Sequence, residues 1–123
     1  FRSAIMASPQ RITRVRGQIM RELSDILRKM KDPRLAMVNI LDVELSRDLG
    51  YAKIFISAMG EDEDDKEVVL EGMRNGLGYI RREIAQRMSL RYAPELSVEY
   101  DDTAERAARV TSLINSIGDD EED

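Results

Sequence analysis

No cysteine occurs in the 123 residues, which excludes disulfides and thiolate metal sites and is consistent with a reducing cytoplasm. Histidine is missing as well, and with it the usual near-neutral acid/base group and the commonest metal ligand. Ser–His–acid and Cys–His nucleophile arrangements are therefore excluded. There is no tryptophan, and the remaining aromatics are four Tyr and two Phe, too few for a single-strand binder built on many stacking rings. No apolar run approaches the roughly 20 residues of a membrane span. The opening "FRSAIMASPQR" has neither an h-region nor a cleavage pattern, so no signal peptide is expected and Met6 is a candidate initiator. There is no "GxxxxGK[ST]", and "GLG" at 76–78 follows a helical pattern where a dinucleotide fingerprint needs a strand. The acidic run "GEDEDDKEVVLEG" offers no register with Gly at position six and Glu at twelve of a calcium loop. These absences predict no enzyme, no cofactor, no metal and no small-molecule substrate.

What is present is charge, unevenly placed. The formal net charge is -5, yet Glu61 to Glu71 hold seven acids and one Lys, and Asp119 to Asp123 hold five acids. Without these two stretches, 18 Lys/Arg face 24 - 7 - 5 = 12 acids, a body of +6. Residues 1–34 alone carry nine Lys/Arg against three acids. An acidic average is thus compatible with a polyanion partner, because distribution decides.

The length favours one domain with a single core. A first helix is predicted from "SPQR", with Ser8 as N-cap and Pro9 in the first turn. Ile12, Val15, Ile19, Leu23, Ile26, Leu27 and Met30 give it one apolar face, and Asp32-Pro33 stops it. "MVNILDVELSRDLGYAKIFISAM" reads as a hairpin turning at Ser46 to Gly50. Ala52, Ile54, Ile56 and Ala58 alternate strictly. In the first strand Val38 and Ile40 are out of phase with Leu41, Val43 and Leu45, so a bulge or bend near Leu41 is expected. A helix from about Glu63 to Asn75 and a second from near Leu77 follow, the latter placing Leu77, Ile80, Ile84 and Met88 on one face. Leu96, Val98 and Tyr100 mark a third strand, and "TAERAARVTSLINSI" a terminal helix. The pattern is α-β-β-α-kink-α-β with an optional final helix, an α+β domain with helices on one face of a three-stranded sheet.

Three features are candidates for binding, each with a plain structural alternative. Arg14, Arg21 and Arg28 recur every seven residues on the polar side of the first helix, roughly 10 Å apart along its axis, with Arg11 and Lys29 flanking. That line suits several backbone phosphates, or is an ordinary solvated face tempered by Glu22 and Asp25. Arg47 in "SRDLG" suits a further contact, although pairing with Asp48 or with solvent is the plainer reading. In "NGLGYIRREIAQRM" (75–88), Gly76 and Gly78 each cost a helix interior roughly 1 kcal/mol relative to Ala. A break there would leave N–H groups around Gly78 to Arg81 unpaired, an anion site set among Arg74, Arg81, Arg82, Arg87 and Arg91. It is equally readable as a kink that lets two helices wrap one sheet.

"PQRITRVRGQIMREL…MKDPRL", "VELSRDLGYAKIFIS" and "GYIRREIAQRMSLRYAPELSVEYDD" together resemble the ribosome-binding factor A family, in order and at its spacing, over about Pro9 to Ile117. The resemblance implies a KH-like (type II KH) domain over 9–101, in which a helix–kink–helix replaces the GxxG loop of ordinary KH domains. Gly76-Leu77-Gly78 stands where Ala-x-Gly is usual in the family. Residues 1–8 are then a flexible N-terminus, 102–117 a C-terminal helical extension, and 118–123 a disordered acidic tail. The implied role is non-enzymatic: a cytoplasmic, monomeric factor that binds the immature small ribosomal subunit and its rRNA. Late maturation, processing of the rRNA 5′ end and growth in the cold would depend on it. The candidate RNA-binding set, drawn from the three features above, is Arg11, Arg14, Arg21, Arg28, Arg47, Arg74, Gly76, Gly78, Arg81, Arg82, Arg87 and Arg91. Two alternatives stay open: a KH-like module reading single-stranded RNA by sequence, with Tyr79 and Tyr92 as its aromatic candidates, and a protein–protein module using the hairpin edge.

Overall fold

The computed structural model describes residues 6–59, 63–90 and 93–101. Helix α1 (Pro9–Lys29) begins as its sequence dictates. The Ser8 hydroxyl accepts from the Arg11 N–H at 3.1 Å, and Pro9 sits where a missing N–H has no helical partner to lose. Its apolar stripe buries Val15, Ile19, Leu23, Ile26 and Leu27. After the last turn the chain enters a short 3-10 helix, Pro33–Met37, which periodicity did not reveal. Asp32 starts it by accepting from the Arg34 N–H at 3.0 Å and gripping the Arg34 guanidinium, Nη2 to Oδ2 at 2.7 Å. That grip, the side-chain hydrogen bond first and the backbone one second, holds the Asp32 carboxyl below its usual range.

Strands β1 (Val38–Leu45), β2 (Tyr51–Ala58) and β3 (Glu95–Tyr100) lie in the order β1-β2-β3. The first pair is antiparallel and the second parallel. The register shifts between Ile40 and Asp42, so Leu41 is the extra residue. This is the expected bulge. It returns Val43 and Leu45 to the face used by Val38 and Ile40, and all four pack on the core. Arg16 reaches from α1 to the Asp42 carboxylate and the Val43 carbonyl, clasping the strand just past the bulge.

Helix α2 (Glu63–Arg87) carries the chain from β2 back to the start of the parallel β3. Here the structure corrects the expected interruption. The helix is continuous across Gly76 and Gly78, and among the described residues no glycine has positive φ. The N–H groups near Gly78 to Arg81 are therefore inside a helix, and no second N-terminus exists there to hold an anion. Packing explains one of the two glycines. A Cβ on Gly76 would stand 2.9 Å from the Met30 terminal methyl, and one on Gly72, a turn earlier, 3.0 Å from Arg34 Cβ. These two let the end of α1 and the 3-10 helix lie close on α2. Gly78 has no such reason: a Cβ there would meet only Arg82 Nη1, at 3.8 Å.

Both helices cover one face of the sheet, and Ile19, Leu23, Ile26, Ile54, Ile56, Met73, Ile80 and Ile84 form the sealed centre. The result is the expected α+β, KH-like architecture. The segments 102–117 and 118–123, like residues 1–5, lie outside the described residues.

Candidate nucleic-acid interface

Charge on α2 is separated along its length. Glu63 to Glu71 hold five acids and one Lys, whereas Arg74 to Arg87 hold four Arg and one acid. Acids at the N-terminal end and bases at the C-terminal end both suit the helix dipole. Within the basic half, Asn75, Gly78, Tyr79 and Arg82 are exposed and spaced i, i+3, i+4, i+7, so they share one stripe. Arg74 is exposed beside it, and neither Arg74 nor Arg82 makes an ion pair among the described residues.

The end of α1 meets this stripe. Lys29, Met30, Lys31, Asp32 and Tyr79 line an open recess of about 350 Å³. The Lys29 ammonium lies 3.1 Å from Asp25 yet stays mostly exposed, and Lys31 makes no ion pair among the described residues. Periodicity alone does not set these lysines beside Tyr79; the packing of α1 on α2 does.

The other sequence-predicted residues divide. Arg11, Arg14 and Arg21 are exposed along α1 as expected, and Arg28, though 2.8 Å from Asp25, keeps 76% of its side chain exposed. Arg47 is exposed on the hairpin turn; the Asp48 carboxylate accepts from the Ser46 hydroxyl and the Gly50 N–H, at 2.8 and 2.9 Å. The Arg47 carbonyl accepts from the Ala7 N–H at 2.8 Å, which ties the start of α1 to that turn. Arg81 is exposed on the β3 side and donates to the Ala93 carbonyl at 3.1 Å. Gly76 is buried under Met30, whereas Gly78 is open. Arg91 lies outside the described residues.

Arg87 has a different place from the one its sequence suggested. Its guanidinium bridges to Glu22 at 3.1 Å, to Asp25, and to Glu83 at 3.4 Å, joining α2 to α1. These bonds raise the Arg87 pKa further, Asp25 contributing most. Asp25 receives Arg87, Arg28 and Lys29 and is held well below the usual carboxylate range, with the Arg87 hydrogen bond as the main cause. Arg87 is thus engaged within the protein.

The described residues contain no group of three carboxylates able to hold a metal and no helix long and apolar enough to cross a membrane. The arrangement offers dispersed cations, one exposed ring and a bare patch of helix backbone at Gly78, which is chemistry for contacting phosphates and bases.

The sequence model of ribosome-binding factor A matches residues 11–114. The chain is 46% identical over 108 residues to the ribosome-binding factor A of Acetivibrio thermocellus, covering 86% of this chain and 87% of that one. Its fold is similar to the solution NMR structure of a candidate ribosome binding factor A from Thermotoga maritima, at 32% identity and a TM-score of 0.67, covering 80% of this chain and 94% of that one. It is also similar to a Thermus thermophilus ribosome binding factor A homology model fitted into a cryo-electron-microscopy map of a 30S complex. There the TM-score is 0.58 over 70% of this chain and 90% of that one, and at 23% identity the likeness speaks for the fold.

Proposed function

The chain belongs to the ribosome-binding factor A family, and from that premise we propose that it is a non-enzymatic assembly factor for the small ribosomal subunit. It acts in the cytoplasm as a monomer, binds the immature subunit through its rRNA, and supports late maturation and processing of the rRNA 5′ end, including growth in the cold. A relative of similar fold fitted into a 30S complex supports the choice of partner. The observation that carries the mode of binding is the exposed α2 stripe with Arg82 and Gly78, joined at its side by Lys29 and Lys31. Arg11, Arg14, Arg21 and Arg28 extend this face along α1, Arg47 and Arg81 lie toward the hairpin end, and Arg91 follows α2 in the chain. Each cation that meets a phosphate displaces a counterion, so affinity is steeply salt-dependent.

Co-sedimentation with immature and mature small subunits tests the partner, and a preference for the immature particle is expected. For the face, the triple variant Lys31→Ala, Arg74→Ala, Arg82→Ala is compared with wild type over a salt series. If all three side chains touch phosphate, the slope of log affinity against log salt falls by about 0.7 to 0.9 per contact removed. An unchanged slope takes these residues out of the interface.

A further inference from the structure

Among the described residues, the large exposed apolar side chains are Met6, Tyr51, Met59 and Tyr79, so two are aromatic. Their settings differ. Tyr51 opens the central strand β2 in register with Glu95, and Lys53, two residues on along the same face, is paired with Glu99 at 3.5 Å. Tyr79 is 43% exposed, and it shares a recess with Lys29, Lys31 and the thioether side chain of Met30. The fourth polar member, Asp32, is neutralised locally by the Arg34 fork. On the same helical stripe, Arg82 lies one turn beyond the ring and Asn75 one turn before it, and Gly78 adjoins it with no side chain. Part of the Tyr79 ring is covered by the recess and part stays open to solvent, so it has a face available to a ligand.

The geometry points to a nucleotide-binding subsite: we propose that the Tyr79 recess receives one unpaired RNA base. The base stacks on the phenol ring, Met30 provides apolar lining, and Lys29 and Lys31 meet the flanking phosphates. The inference rests on the proposed RNA-binding function and narrows its ligand, from any folded polyanion to RNA with a base free to leave its stack. A duplex supplies phosphates to the cations but no free base to the ring. A single strand supplies both. At about 350 Å³ the recess is within the range of small-ligand pockets, about 300 to 1,000 Å³.

The test uses the full chain and two probes of equal charge: a short single-stranded oligoribonucleotide carrying one fluorescent purine analogue, and a blunt RNA duplex. With wild type, quenching of the analogue is expected on binding, because stacking quenches it. Tyr79→Leu should weaken single-strand binding by about 5- to 150-fold and abolish the quenching. Duplex affinity and both salt slopes should stay unchanged, and Tyr79→Phe should behave as wild type. Thermal melts of both variants check that the fold is intact. Equal affinity of wild type and Tyr79→Leu for the single strand overturns the subsite, as does an equal loss on both probes. If Lys31→Ala and Arg82→Ala still reduce the salt slopes in that case, the basic face survives while the stacking site fails. If wild type binds neither probe and no small subunit, the broader reading fails with it.

Discussion

Three glycines in one helix have three separate consequences. Gly72 is pressed against Arg34 Cβ, an atom close to the backbone and anchored by the Asp32 fork, so a larger residue there must push the 3-10 helix away. Gly76 lies under the Met30 terminal methyl, so a Cβ there would displace that flexible side chain from its seat on α2, while Ile80 Cδ1 at 3.8 Å is in ordinary contact. Gly78 meets nothing that a Cβ would strain, and Gly78→Ala is expected to stabilise the free protein by about 0.5 to 1 kcal/mol, read from denaturant midpoints. If the bare backbone at Gly78 lies against RNA, the same variant binds small subunits more weakly despite its greater stability. A variant both more stable and equally tight would show that close approach at this position is unimportant. Buried positions respond differently: Ile54→Ala, at the centre of the core, should cost about 2 to 5 kcal/mol.

Among the elements, α2 ends with Ser89 in the left-handed region, φ 52, where the Leu90 N–H returns to Ala85 and the Ser89 N–H to Gln86. This is a Schellman ending, and glycine suits its turning residue better than serine. Ser89→Gly should add about 1 kcal/mol, visible as a higher melting temperature with the helix length unchanged. The clamp between α1 and α2 depends on pH. Because the folded Asp25 carboxyl is held below its unfolded value, the clamp's contribution is present above the ordinary carboxylate pKa and fades as pH falls through the folded one. Arg87→Ala should therefore lower the melting temperature near neutrality, and its deficit should shrink below about pH 4. A deficit independent of pH would assign the loss to packing instead.

Elements with a local code were legible in the sequence. Ser8-Pro9 announced α1, the phase slip at Leu41 announced the bulge, and alternation located β2 and β3. Propensity misled at Gly76 and Gly78, because the helix cost is local whereas the gain at Gly76 comes from Met30, 46 positions earlier. The same holds for Arg16 on Asp42 and Arg87 on Glu22, whose partners are set by packing and leave no trace in spacing. The candidate site was half visible. Its arginines were plain in the sequence, but the meeting of Lys29 and Lys31 with Tyr79 needed the folded helices.

For the whole molecule, the proposed function gives the acidic segments a task, opposing indiscriminate attachment to polyanions while the basic face meets a surface that fits it. Deleting Asp119–Asp123 should raise affinity for unrelated RNA more than for immature small subunits, narrowing the ratio between them in competition binding. A ratio that stays constant would deny the tail any part in selectivity. On the proposed function, helix α2 also bears on approach. As one uninterrupted rod of 25 residues, about 37 Å long, it keeps its acids and its arginines at fixed opposite ends. In the field outside a polyanion this charge separation adds a torque to the pull on the whole molecule, one that favours turning the arginine end forward before any contact forms. Productive encounters are thereby enriched among all collisions, and added salt should slow association through lost alignment as well as lost attraction.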